Sequence, residues 1–264
     1  MGTPCRVTAV QSHRAGLAAK VDGQADVMAA FSSRGPNGRF VKPDIAAPGV
    51  QILAGHTPTP GDVSGGPSGQ LYQAIAGTSM AAPHIGGSAV LQFALHPTWT
   101  PGQVKSALMT AATTTVVKEN LTTPADPFDI GAGRVRIDVA ANPGLTFDET
   151  AARMRSLGNS ATNARQLNIP SVNVPSLTGS SVTVPRTARN VTASAQTYRV
   201  EVTAPSGSTI TVSATSFTVA ANGTVTLNIT VRATRRGQFF GQVRLVPGSG
   251  SGLPTLHLPV VFRR

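Results

Sequence analysis

The sequence predicts two unlike parts: an α/β segment over residues 1–150, then an all-β sandwich over residues 160–264. Three observations predict this. After about residue 168 the hydrophobic pattern turns into two-residue alternation, the period of a half-buried strand. Charge changes at nearly the same place: residues 1–159 hold 12 basic and 10 acidic side chains, whereas residues 160–264 hold 10 basic and one acidic, Glu201. Finally, 264 residues is the length of about two domains, each able to bury a core without disulfides or metals.

Composition excludes several classes. With 40% hydrophobic and 12% charged residues, the chain is not a charge-solvated disordered one. No run of 18 apolar residues exists, so no membrane span is expected. Cys5 is the only cysteine, which excludes an internal disulfide framework and a multi-cysteine zinc site. The opening MGTPCRVTAVQSH lacks the apolar core of a signal peptide. The net charge of +11 is mostly arginine and is scattered. With 5% aromatics and no helix-turn-helix or RNA-binding signature, nucleic acid is not an expected partner.

Taken in order, Val27–Phe31 is a short apolar run of strand type. FSSRGPNGRF is punctuated by Gly and Pro and reads as loop. KPDIAAPGVQILAG (42–55) gives two extended pieces around Pro48-Gly49, and GDVSGGPSG (61–69) gives a loop. From Thr78 to Leu95 the residues are small or apolar almost all round, which predicts a helix buried on every side. A second helix starts at Thr100 as N-cap with Pro101 at its first position, and Val104, Ala107, Leu108 and Ala111 form its apolar stripe. Residues 120–150 read as loops. An opening strand near Leu167–Val174 and six alternating strings follow: SVTVPRT, TYRVEVTAP, STITVSAT, GTVTLNITVRA, GQFFGQVRLV and LHLPVVFR. Seven strands in about 100 residues suit an antiparallel sandwich.

The segment that carries chemistry is GTSMAAPH (77–84). It sets Ser79 in the first turn of the apolar helix, where N–H groups lack helical partners and the dipole is positive. An oxyanion forming beside Ser79 would meet its N–H. Gly77 lets a substrate backbone approach, and Pro83 removes the N–H that would bond back to the Ser79 carbonyl. The segment is not the lipase nucleophile elbow, because Ala81 stands where that elbow needs Gly. Taken alone, a serine here is an ordinary helix-start residue; its surroundings decide.

Those surroundings resemble the C-terminal part of a subtilisin-like serine protease. FSSRGPN (31–37), KPDIAAPGVQILA (42–54), GTSMAAPHIGG (77–87) and HPTWTPGQVKSALMTAA (96–112) match the family pattern in order and spacing. DPFDIGAGRVRIDVAANPGL (126–145) resembles the closing segment of the cucumisin-like branch, in which a fibronectin-III-like domain follows; RNV (189–191), TYRVEVTAPSGSTITVSATSFTV (197–219) and LHLPVVFR echo that domain. The resemblance implies an α/β partial catalytic domain and a fibronectin-III-like sandwich. It implies serine endopeptidase chemistry on protein or peptide substrates, with Ser79 as nucleophile, Gly77 and Thr78 beside the substrate, no cofactor and no metal, and a secreted protein. It also implies scaffold roles for Arg34, Asp44, Pro83 and His84.

The family's triad runs Asp, His, Ser, and this chain matches only the Ser. No His-Gly-Thr-His-type or Asp-Ser-Gly-type motif precedes Ser79, and the oxyanion Asn is absent. The chain is therefore expected to be inactive alone and to need an N-terminal half carrying Asp, His and Asn. His84 lies over a helical turn beyond Ser79 and is not expected to be its base; His96 is expected to end the helix; His13, His56 and His257 are expected to be structural or exposed. Asp44 is expected to hold two loops together by pairing with Arg34 or backbone N–H groups. Asp62 reads as solvated, Cys5 has no His partner in register, and Asp126, Asp129 and Asp138 lack a calcium-loop order. The alternative to an enzyme is a non-catalytic remnant whose basic sandwich tethers it, through weak contact of residues 160–264 with anionic surfaces.

Overall fold

Residues 7–11, 26–36, 38–61, 65–158 and 160–264 are described by the structure, a computed structural model. The front part is built on a three-stranded sheet. Strand β1 (Val7–Gln11) lies between β2 (Val27–Met28), antiparallel, and β3 (Ile45–Pro48), parallel. The expected strand from Val27 stops after two residues, and Phe31 is in a turn and exposed. A hairpin of β4 (Ile52–Gly55) and β5 (Tyr72–Ile75) follows and leads into helix α1 (Thr78–Leu95), which packs on β1 and β3.

Helix α1 has the expected ends but not the expected burial. It buries one stripe, Ala81, Ile85, Ser88 and Gln92, spaced for a single helical face. The opposite side is open: Val90 is 67% exposed, Leu91 52% and Leu95 59%. An all-apolar helix sequence says what the helix tolerates around it, while burial depends on what stands there. Helix α2 (Pro101–Thr110) begins as predicted. The Thr100 hydroxyl accepts from Gln103 N–H, and Gln103 Oε1 accepts from Thr100 N–H, a reciprocal capping box.

Residues 120–150, expected as loops, hold two short helices and a strand, α3 (Pro127–Ile130), α4 (Ile137–Ala140) and β6 (Leu145–Phe147), and two more short helices follow, α5 (Ala151–Arg155) and α6 (Ala161–Arg165). Asp126, Thr150 and Ser160 cap three of these helices with their own side chains.

The remaining strands are β7 (Val172–Val174), β8 (Ser181–Asn190), β9 (Gln196–Thr203), β10 (Ser208–Val212), β11 (Ser216–Val219), β12 (Thr224–Ala233), β13 (Gln238–Pro247) and β14 (Leu256–Arg263). They form a four-stranded sheet, β10-β12-β8-β6, and a five-stranded one, β11-β9-β13-β14-β7. Two strands add to the seven expected. Strand β11 lies just beyond the string STITVSAT and pairs with β9, and β6 enters from upstream of residue 160 to pair with β8. Alternation does its work in β12, where Leu227, Ile229, Val231 and Ala233 point inward. On the outer faces, threonines bond in cross-strand pairs, Thr183 with Thr230 and Thr187 with Thr226, each at 2.8 Å.

Strand β14 is different: every residue from Leu256 to Phe262 is buried, because the front part covers its second face. There His257 Nε2 donates to the Ala132 carbonyl at 2.6 Å. One apolar cluster consequently runs from Ile45 and Leu108 through Leu145 and Phe147 to Val260 and Phe262. Arg186, fully buried, donates to the carbonyls of Ser171, Arg165 and Pro185. Burial pushes its guanidinium down to about 9, which leaves it charged at neutral pH.

Candidate active site

The hairpin β4–β5 delivers the chain to α1 through Gly77, whose N–H donates to the Gly49 carbonyl at 2.8 Å. Gly77 is the N-cap in extended geometry, with no side chain to occupy the helix end. Its carbonyl accepts from Met80 N–H at 3.0 Å and from Ala81 N–H at 3.3 Å. No acidic side chain stands in the first turn to neutralise the dipole. Ser79 is exposed there, and among the described residues no side chain hydrogen-bonds to its hydroxyl. Pro83 lies inside the helix four residues on, so the Ser79 carbonyl receives no helical bond from that position.

His84 is not poised on Ser79. Its Nδ1 donates to the Met80 carbonyl of its own helix at 2.9 Å. The other described histidines are tied into backbone as well. His56 bridges the Gln70 and Gly65 carbonyls, each at 3.1 Å, across the hairpin loop. His96 ends α1, donates to the Ala141 carbonyl at 2.8 Å and stacks on Trp99 at 3.8 Å between ring centres. Burial pushes the His257 imidazole below its usual range, and the Arg244 charge adds to this against the bond to Ala132. His13, Cys5 and Asp62 lie outside the described residues.

The expected pairing of Asp44 with Arg34 is replaced by another. Asp44 Oδ2 meets Lys42 Nζ at 2.5 Å and Oδ1 meets Lys105 Nζ at 2.8 Å. Burial alone would push this carboxyl up, but the Lys105 and Lys42 charges outweigh it and hold it below the usual range. Asp44 therefore joins the β3 entry to α2. Arg34 reaches Glu119 at 2.8 Å and Asp129 at 3.3 Å. Burial opposes its charge, yet the Glu119 and Asp129 carboxylates raise its basicity overall.

Sequence reasoning missed Lys42, Lys105 and Glu119. Lys42 sits two residues from Asp44 and was visible; the other two come from distant elements and carry no local signal. Of the three acids considered for calcium, Asp126 and Asp129 share Lys118 at 3.1 and 2.9 Å. Asp138 is clamped by Arg136 at 2.5 Å, a hydrogen bond that brings its carboxyl down to about 2.

Residues 7–133 match the subtilase family, and residues 166–260 match a fibronectin type-III domain. The front of this chain belongs to the subtilase family. Subtilisin-like protease SBT5.3 of Arabidopsis thaliana is 38% identical, over 73% of this chain and 29% of the relative. Subtilisin-like proteases SBT3.7 and SBT3.6 of the same plant are 36% and 37% identical, each over 82% of this chain and 32% and 31% of the relative. The chain thus spans about a third of the length of these relatives. What it holds is part of a subtilase domain followed by a fibronectin-III-like sandwich.

Proposed function

We propose that this chain supplies the nucleophile of a serine endopeptidase, with the general base and its orienting carboxylate coming from polypeptide outside residues 1–264. The observation that carries the reading is Ser79, exposed in the first turn of α1 within a subtilase match. A serine hydroxyl is a poor nucleophile until a base takes its proton. Once that proton is removed, Oγ bonds to the substrate carbonyl carbon, and the carbonyl oxygen becomes an oxyanion facing the Ser79 N–H. Collapse expels the amine, which leaves with the proton held by the base, and water then hydrolyses the ester. Gly77 and Thr78 lie against the substrate chain in this reading, while Asp44, Arg34, Pro83 and His84 shape and brace the loops around it.

The open side of α1 supports the same reading. Val90, Leu91 and Leu95 on the helix, with Leu53 and Tyr72 on the hairpin, leave large apolar side chains in water on both elements that flank Ser79. Further polypeptide of the catalytic domain would cover them. The reading also places the whole protein outside the cell, where a protease of this class acts on protein substrates.

The test mixes the chain with a refolded polypeptide carrying the Asp and His motifs of subtilisin-like protease SBT5.3 and follows hydrolysis of a denatured protein. Neither component should cleave alone, and the mixture should. Ser79→Ala should return the mixture to background, since in subtilisin removal of the serine costs about 10⁶ in turnover. Cleavage that survives Ser79→Ala would contradict the assignment.

A further inference from the structure

At one end of the five-stranded sheet, the start of β13 and the end of β14 form a cleft of about 940 Å³ with the front part. Arg236, Arg263 and Arg264 line it, together with Phe128, Leu177 and Pro36, and among the described residues no acidic one does. The lone acid of residues 160–264, Glu201, is committed elsewhere, to Arg199 at 2.6 Å and Arg244 at 2.8 Å. Among the described residues, the Arg236 and Arg263 side chains enter no ion pair, and both are exposed. Arg264 donates to the Ala233 carbonyl, and its own carbonyl oxygen accepts from Gly237 N–H at 3.1 Å, which holds the two strand ends together. Even with a terminal carboxylate on Arg264, three guanidinium groups less one carboxylate leave two positive charges in the cleft.

We propose that this cleft binds an acidic peptide segment that also carries an apolar side chain. Guanidinium groups recognise carboxylates through paired N–H donors, a geometry an ammonium group does not offer. Three of them around one concave space, with no acidic side chain among the lining residues described, give the cleft a sign and a focus that isolated surface arginines lack. The cleft also has an apolar wall. Phe128 lies there, fixed edge-on against Phe240 with ring centres 5.1 Å apart, beside Leu177 and Pro36. A uniformly charged polysaccharide has nothing to place against that wall, whereas a peptide alternating glutamate with phenylalanine or leucine does. The site is separate from Ser79 and does not rest on its role.

The experiment is fluorescence anisotropy on the full chain in ~0.05 M salt, with a fluorescein-labelled decapeptide of alternating glutamate and phenylalanine. Its glutamine counterpart and a heparin oligosaccharide of similar length serve as comparisons. The acidic peptide should bind, its glutamine counterpart should bind at least tenfold more weakly, and ~0.5 M salt should weaken the acidic peptide strongly. Arg236→Glu with Arg263→Glu should cost at least tenfold. Arg189→Glu with Arg232→Glu, an equal charge change on the outer face of the other sheet, should cost under twofold. All four positions are exposed, and a thermal melt of each variant checks folding. Equal losses in the two double variants would overturn the proposal in favour of unlocalised charge. Tighter binding of heparin than of the peptide would overturn it in favour of a polysaccharide surface, and no peptide binding up to ~1 mM would overturn it outright.

Discussion

Removing β6 from the sandwich should cost the C-terminal part a large share of its stability. The composition shift at residue 160 invites expression of residues 160–264 alone, but the four-stranded sheet ends on β6, at residues 145–147. Its ladder to β8 pairs Leu145 with Asn190, Thr146 with Arg189 and Phe147 with Ala188. Leu145 is 0% exposed and Phe147 1%. Burying a leucine or phenylalanine stabilises by about 1.5–3 kcal/mol each; α2, which also packs on β6, is missing from both fragments, so about half of this, roughly 1.5–3 kcal/mol for the pair, belongs to the sandwich alone. A domain of this size has about 5–15 kcal/mol in total. The comparison is between residues 142–264 and 160–264, unfolded in urea and followed by tryptophan-independent circular dichroism. With a slope of ~1–1.5 kcal/mol/M, the longer fragment should have a midpoint higher by about 1 M or more. Midpoints agreeing within ~0.3 M would mean that β6 adds nothing to the sandwich and would place the boundary at 160.

Arg186→Met should destabilise the full chain by about 3 kcal/mol, read by urea melts, because the buried carbonyls of Ser171 and Arg165 lose their donor. Thr100→Ala should cost about 1 kcal/mol by breaking the α2 capping box, with a drop in melting temperature. Gly133→Ala should give little soluble protein or a much lower melting temperature, since φ is +130° and an added Cβ would meet the Thr113 carbonyl oxygen at 2.2 Å. His257 is held below its ordinary value of 6.5, so the unfolded chain binds a proton first as pH falls. Stability should therefore decline from pH 6.5 downward through the folded value, and His257→Asn should flatten the melting temperature between pH 7.5 and 5.

Helix α1 was legible through its long apolar run and α2 through its cap and stripe, and most sandwich strands because alternation survives in them, β7 and β14 being buried throughout. The four helices between 127 and 165 span four or five residues each, too short for any periodicity to show. Strand β6 is three residues behind Gly144, and only its pairing with β8 makes it a strand. Ser79 was legible through the motif around it. The salt bridge of Asp44 was not, since Lys105 arrives from α2 by tertiary folding and no spacing rule connects the two. Nor was the open face of α1, because sequence records the polarity of a surface and not its cover.

On this assignment Ser79 is a competent nucleophile waiting for a base. This is tested most directly by treating the chain with a fluorophosphonate, alone and after mixing with the Asp- and His-bearing polypeptide, and mapping the adduct by mass spectrometry. Labelling of the chain alone should be negligible, and labelling in the mixture should be stoichiometric and confined to Ser79. Rapid labelling of Ser79 in the chain alone, or an adduct on any other residue in the mixture, would contradict the assignment.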